Sequence, residues 1–338
     1  MKLRVLFLLS AVLFALCFGA LAAGAQSPGD SNVRASIASP GFPEGIAVRG
    51  NRFYVSGPAE LGFPPGSAYV QAFDLTTGVP AATYPITISN PFVGMSAAVC
   101  ANFGPDGKLY VIEPFVGVIR MDLDAANTQS VYATFPITGP TLLNDLTFDG
   151  DGNLYVTDSF AATIYKVPAG GGASAVWFTN PAIAGNAVFQ VGVNGIRIDK
   201  NNKFIYFSVT SDANFQGVVY RLPLVANPGA ADLQQFALLG FTGPDGIAFG
   251  KSGKLYVAEA LTSTVRVINP DGSVDAVYGG PAQDPSSTPL PWANPANIAF
   301  DRTGKILVTN HAQLVMPTDP RLFAIFDVFV NDKGQPLP

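Results

Sequence analysis

The chain has 338 residues, with 24 Asp and Glu against 19 Lys and Arg, a formal net charge of −5 and a single histidine. Such an acidic balance argues against a nucleic-acid partner, which would need a basic face, and one histidine with two cysteines offers little for an ordinary zinc centre. Few charges and abundant Gly, Pro and Phe fit many short strands joined by tight turns.

The first stretch, MKLRVLFLLSAVLFALCFGALAAGAQS, places Lys2 and Arg4 before an apolar run that ends in Ala23-Gly24-Ala25. This layout predicts a secretory leader, residues 1–25, cleaved after Ala25, with a retained membrane anchor as the alternative. Leu16 stands before Cys17 where a lipoprotein leader would carry a small residue. The expected mature protein, residues 26–338, is secreted or periplasmic and forms one domain. No later segment approaches the ~20 continuous apolar residues of a bilayer span. Cleavage removes Cys17 and leaves Cys100 alone, so no intrachain disulfide is available and stability must come from packing.

Six segments then share one pattern: PEGIAVRGNRFYVSG from Pro43, AVCANFGPDGKLYVIE from Ala98, LNDLTFDGDGNLYVTD from Leu143, VNGIRIDKNNKFIYFS from Val193, PDGIAFGKSGKLYVAE from Pro244 and PANIAFDRTGKILVTN from Pro295. They recur about every 50 residues, the period of a propeller blade. Each reads as two alternating strands around a turn. A third strand follows, such as ATIYKV (162–167), VVYRL (218–222) or TVRVIN (264–269), and then a fourth, such as SAVWF (174–178) or SVDAVY (273–278). The prediction is an all-β, six-bladed β-propeller of four-stranded antiparallel blades. The last unit, residues 296–330, lacks chain for a fourth strand, and NVRASIAS (32–39) is expected to supply it, closing the ring and removing its open edges.

The acidic turn Asp149-Gly150-Asp151-Gly152 is not a helix-flanked calcium loop. Counted from Asp149, the places for its Gly and its terminal Glu hold Leu154 and Phe160. The other turns keep Gly107, Asn202, Gly253 and Gly304 but not the acids, so Gly152 and its equivalents are expected to serve a left-handed turn position.

The residues that open the first strand of each unit are more informative: Glu44, Val99, Asn144, Asn194, Asp245 and Ala296. First strands line a propeller's channel, so these six form a ring at one mouth, with four oxygen donors and no base among them. Two carboxylates and two amides gathered there are costly unless hydrogen bonds or a cation compensate. Ca²⁺ suits them, since it takes six to eight oxygens and leaves places for water and substrate. A polar ring bonded to channel water is the plainer alternative.

On these residues the chain resembles the family of senescence marker protein 30, gluconolactonases and luciferin-regenerating enzyme, related in fold to paraoxonases and squid-type diisopropylfluorophosphatase. The resemblance implies that Glu44 in FPEGIAV, Asn144 in LLNDLTF, Asn194 in VNGIRI and Asp245 in GPDGIAF hold a calcium ion. It also implies hydrolysis of a lactone or related ester, a small-molecule substrate. Asp245 would be base or nucleophile, Glu44 would mainly hold the ion, and Asn144 and Asn194 would also orient the substrate. The sequence departs from some relatives at Gly45 and Gly246, which follow the two acids, and Asp145 lacks the partner a second ion would need. The units also resemble NHL repeats, which often serve binding alone, and strictosidine synthase-like propellers share the fold without the ligand set.

Other catalytic signatures are missing: the chain has no G-x-S-x-G, H-E-x-x-H, C-x-x-C or Walker loop. Gly170-Gly171-Gly172 reads as a flexible loop and Cys100 as packed core. A second ring is expected at the returning ends of the second strands: Glu113, Asp158, Glu259 and the Asn310-His311 pair. His311 would serve as a proton shuttle or substrate contact, with a surface or merely hydrogen-bonded imidazole as the plainer reading. Phe63, Phe92, Phe115, Phe160, Phe189, Phe215 and Trp292 lie in loops on that side, with GGPAQDPSSTPLPWANP (279–295) as a candidate lid. Aromatics around the mouth would favour an uncharged, partly hydrophobic lactone over a sugar acid.

Overall fold

A computed structural model describes residues 26–136, 139–279, 290–315 and 319–335. The predicted leader lies outside these residues, as does most of the candidate lid, 280–289. Six antiparallel sheets of four main strands follow one another around a central channel. Their inner strands are Ile46–Arg49, Cys100–Phe103, Leu143–Phe148, Val193–Ile198, Pro244–Phe249 and Pro295–Phe300, and each contacts the next around the ring. Among the described residues no helix is long and apolar enough to cross a membrane.

Blade stacking explains the hydrophobic pattern. The second strands Leu109–Glu113, Leu154–Asp158 and Leu255–Glu259 are buried at every residue because neighbouring blades cover both faces. The outermost strands, such as Pro80–Pro85 and Val274–Gly279, alternate because one face meets solvent. The core is divided accordingly. One cluster joins Phe53 and Phe73 of the first blade to Leu307 and Ile325 of the last, and five others fill the remaining blade interfaces. A chain too long for an ordinary single core is thereby served by six small ones.

The ring closes as expected. Ser31–Ser36 pairs antiparallel with Ala324–Phe329, completing the sixth sheet. Arg34 donates to Asp327 at 2.8 Å and to the Leu75 carbonyl of the first blade at 2.8 Å, and Lys305 reaches Asp327 at 2.9 Å. The closing strand is thus tied to blades on both sides.

Two loop expectations resolve differently. Gly107, Gly152, Asn202, Gly253 and Gly304 all adopt positive φ, as the turns require. Gly170-Gly171-Gly172 is not a free loop: Gly172–Ala173 adds a short parallel strand to Thr128–Thr134 of the preceding blade. There the Gly171 backbone passes so close to Tyr132 that a Cβ would lie 2.4 Å from its carbonyl oxygen.

Candidate functional site

The ladder between first and second strands slips at the opening of four blades, between Leu143 and Leu146, Val193 and Ile196, Pro244 and Ile247, and Pro295 and Ile298. Each slip inserts residues that a regular ladder would pair. Such bulges re-aim side chains, and Asn144, Asn194 and Asp245 sit in three of them. Glu44 and Val99 precede the remaining inner strands. The inner strands nearly touch here: a Cβ on Gly195 would lie 2.4 Å from the Asp245 carbonyl oxygen, and one on Gly246 2.5 Å from Asn297 Oδ1. That crowding leaves no room for a further ligand beside Asp245.

Glu44, Val99, Asn144, Asn194 and Asp245 line one cavity of about 270 Å³, and His311 joins them. Ala296, the sixth equivalent, is buried. Glu44, Asn144 and Asn194 are more than nine-tenths buried, and Asp245 is partly exposed to the cavity. Thr210 Oγ1 accepts from Asn194 Nδ2 at 3.0 Å, which turns the other end of the amide, Oδ1, free. That buried oxygen has no hydrogen-bond partner among the described residues. Burial raises the Glu44 carboxyl well above its ordinary range, with further contributions from Asp245, Asp145 and Glu60. Burial, then Asp145, raises Asp245 to about 8, against hydrogen bonds from Asn194 and the Gly246 amide.

These groups fit a hard cation. The orphaned amide oxygen lacks a donor, and the charge that burial penalises on the two acids is the charge a divalent ion would neutralise. Among the described residues no three of His, Cys, Asp and Glu converge on a metal position, so any site here depends on the amides. The lining also includes Glu60, which repeat reasoning missed because it lies in a loop with no equivalent in other units. Its carboxyl is raised by burial. Among the described residues no Lys or Arg lines this cavity.

Beneath the mouth the channel is plugged. Asp145 Oδ2 accepts from Arg197 Nη1 at 2.6 Å and the Ile196 amide at 3.0 Å, while Oδ1 accepts from Cys100 Sγ at 2.9 Å and the Leu146 amide at 2.8 Å. Both oxygens are occupied, which leaves nothing for a second ion. Burial, reinforced by Asp145, pushes the Cys100 thiol well up, so it is packed and inert. Arg197 was legible in principle: its equivalents are Ala47, Asn102, Thr147, Ala248 and Ala299, so a cation stands out there. A second cavity of about 560 Å³ lies beyond it, at the other ends of the inner strands.

The expected second ring needs correction. Glu113, Asp158, Glu259 and Asn310 do not line the cavity. Glu113 accepts from the Phe115 amide at 2.9 Å, Asp158 from the Leu142 amide at 2.9 Å and Asn310 from the Ala293 amide at 2.6 Å, while Glu259 pairs with Arg266 at 2.5 Å. Their carboxylates and amide are engaged in fastening backbone or neighbouring side chains. His311 alone reaches the mouth. It is not on the surface, its buried Nε2 has no hydrogen-bond partner among the described residues, and burial lowers its pKa to about 4. Phe42 packs edge-on against its ring at 5.9 Å.

Of the loop aromatics, Phe160 and Phe189 line the cavity. Trp292 stacks on Phe326 at 5.4 Å and Phe63 packs on Phe42 at 5.9 Å, whereas Phe92 and Phe215 are exposed away from the lining.

Glu113 carries a pH signature. Burial raises its carboxyl from 4.5 to about 7. The native state therefore binds more protons than the unfolded chain between those values, and stability falls as pH rises through them. Thermal melts of Glu113→Gln from pH 5 to 8 should show a flatter decline than the parent. Parallel declines would show that Glu113 is not the group responsible.

The family model described as SMP-30/Gluconolactonase/LRE-like region matches residues 74–297. Comparison with curated proteins finds no match. Among solved structures, regucalcin from Agrobacterium tumefaciens, described as a calcium-binding protein, is 17% identical with a TM-score of 0.63, covering 91% of this chain and 98% of its own. A luciferin-regenerating enzyme is 15% identical at 0.62, covering 91% and 97%. A gluconolactonase from Xanthomonas campestris is 16% identical at 0.58, covering 92% and 96%. At such identities these likenesses speak for the fold.

Proposed function

This chain belongs to the SMP-30/gluconolactonase/LRE-like family, and from that premise we propose that it is a secreted or periplasmic, calcium-dependent hydrolase of lactones or related esters. One observation carries the reading: Glu44, Asn144, Asn194 and Asp245, from four different blades, surround one cavity with the Asn194 Oδ1 left without a partner among the described residues.

In a loaded site Glu44, Asn144, Asn194 and Asp245 would hold the ion, and a divalent cation there would supply Lewis-acid polarisation of the substrate carbonyl. Asp245 is the base: its partly exposed carboxylate takes a proton from water as the water oxygen attacks the carbonyl carbon. The ring C–O bond then breaks, the leaving oxygen recovers a proton, and a hydroxy acid results. Glu44 is committed to holding the ion. Asn144 and Asn194 orient the substrate as well. His311, neutral and with a free Nε2, contacts the substrate. A lining with Phe160, Phe189, Leu61 and Leu261 but, among the described residues, no Lys or Arg supports an uncharged, partly apolar substrate over a sugar acid.

Protein purified from the medium or periplasm should begin at Gln26, contain calcium and hydrolyse members of a lactone and ester panel, with turnover lost in chelator and restored by Ca²⁺. Bound calcium without turnover on lactones, esters or organophosphates would instead favour a binding propeller. Turnover indifferent to chelator would reject the metal's role.

A further inference from the structure

We infer that the buried hydroxyls of Thr157, Ser208 and Thr309 are positioning residues for the ligands of the site, each setting the backbone of one ligand from the neighbouring blade. The inference rests on the calcium reading above. It deepens that reading by naming what fastens the backbone of three of the four residues around the shared cavity.

The three occupy the same place in their second strands and are fully buried. Each oxygen works in two directions. Thr157 Oγ1 accepts from the Asp145 amide at 3.0 Å and donates to the Asn194 carbonyl at 2.7 Å. Ser208 Oγ accepts from the Gly195 amide at 2.8 Å and donates to the Asp245 carbonyl at 2.6 Å. Thr309 Oγ1 accepts from the Asn297 amide at 2.8 Å and donates to the Glu44 carbonyl at 2.9 Å. The bulge strands an amide in its own blade and the next blade presents a carbonyl. A hydroxyl is the group that serves both at once.

The bridges follow the ligands rather than the repeat. The equivalent residues elsewhere are Ser56, Ile112 and Ala258. Ala258 precedes Ala296 and Ser56 precedes Val99, neither an oxygen donor, and the Ser56 Oγ has no partner among the described residues. Ile112 precedes Asn144, the one ligand without a bridge. There the Cys100 thiol fastens the following residue, Asp145, instead. Ser208 is the most telling of the three, because it ties the bulge that carries Asn194 to the backbone of Asp245.

The test is calcium affinity by titration calorimetry, on variants whose fold is checked by circular dichroism. Ser208→Ala is expected to bind Ca²⁺ about 10- to 100-fold more weakly than the parent, the usual cost of removing a group that supports metal ligands. Ser208→Thr, which restores the hydroxyl in the form used at 157 and 309, should recover most of that loss. Thr309→Val, which keeps the shape without the hydroxyl, should weaken binding, and Thr309→Ser should not. Ser56→Ala removes a hydroxyl at the same place with no ligand to hold and should leave affinity unchanged. Parental affinity in both Ser208→Ala and Thr309→Val overturns the inference, as does an equal loss in Ser56→Ala. A parent protein that binds no calcium overturns the reading of the site and this inference with it.

Discussion

Replacing Asp245 with Asn is expected to lower kcat on a lactone by about 100- to 10,000-fold, the span a general base contributes, while the six blades remain assembled. The substitution keeps the side-chain volume and its oxygen, so the change is confined to charge and basicity. The Gly246 amide, which bonds to the Asp245 carboxylate, can still donate to the amide oxygen that Asn retains, and the neighbouring acid Glu44 is relieved of a like-charged partner. Circular dichroism and melting should therefore match the parent. Near-normal turnover would remove Asp245 from its role. A collapsed fold would mean that its carboxylate serves structure instead.

Arg197→Leu should produce the largest loss of stability among single changes near the site, about 3–5 kcal/mol. The Asp145 carboxylate beneath the mouth is 1% exposed, and Arg197 is its only cationic partner among the described residues. Removing the guanidinium leaves a buried acid facing two amides and a thiol, and the uncompensated charge is what costs. Melting should shift down by roughly 5–15 °C. Because the acid is the problem, adding Asp145→Asn to Arg197→Leu should recover part of the loss, and a double variant as unstable as the single one would point to lost packing by Arg197 instead.

Much of the architecture was legible because it is written in short-range signals. Strand alternation, the left-handed residue of each first turn and the recurrence of about 50 residues lie within single units. They suffice for six blades and for the missing strand that Ser31–Ser36 supplies. The convergence of four oxygen-bearing residues on one cavity was legible for a related reason: rotational repetition brings equivalent positions together, so Glu44, Asn144, Asn194 and Asp245 could be grouped without coordinates.

Other features depend on what a side chain meets across a blade interface, and no local pattern states that. Glu113, Asp158 and Asn310 looked like a second functional ring, but loop amides occupy them. His311 turned out buried at the mouth because Phe42 packs against it from another blade. Gly170-Gly171-Gly172 looked loose, yet its end pairs with the preceding blade.

The amino-acid sequence by itself determined the number of blades, the strand that closes them and the four oxygen-bearing positions, since each follows from periodicity and turn chemistry within a repeat. Only the tertiary structure decided which groups are satisfied and which are left open. Thr309 is 265 residues from the Glu44 whose carbonyl it holds, and the partners of Asp145 come from two other blades. Contacts of that kind arise when independently patterned sheets are stacked, and the free oxygen of Asn194 is what remains once they have formed.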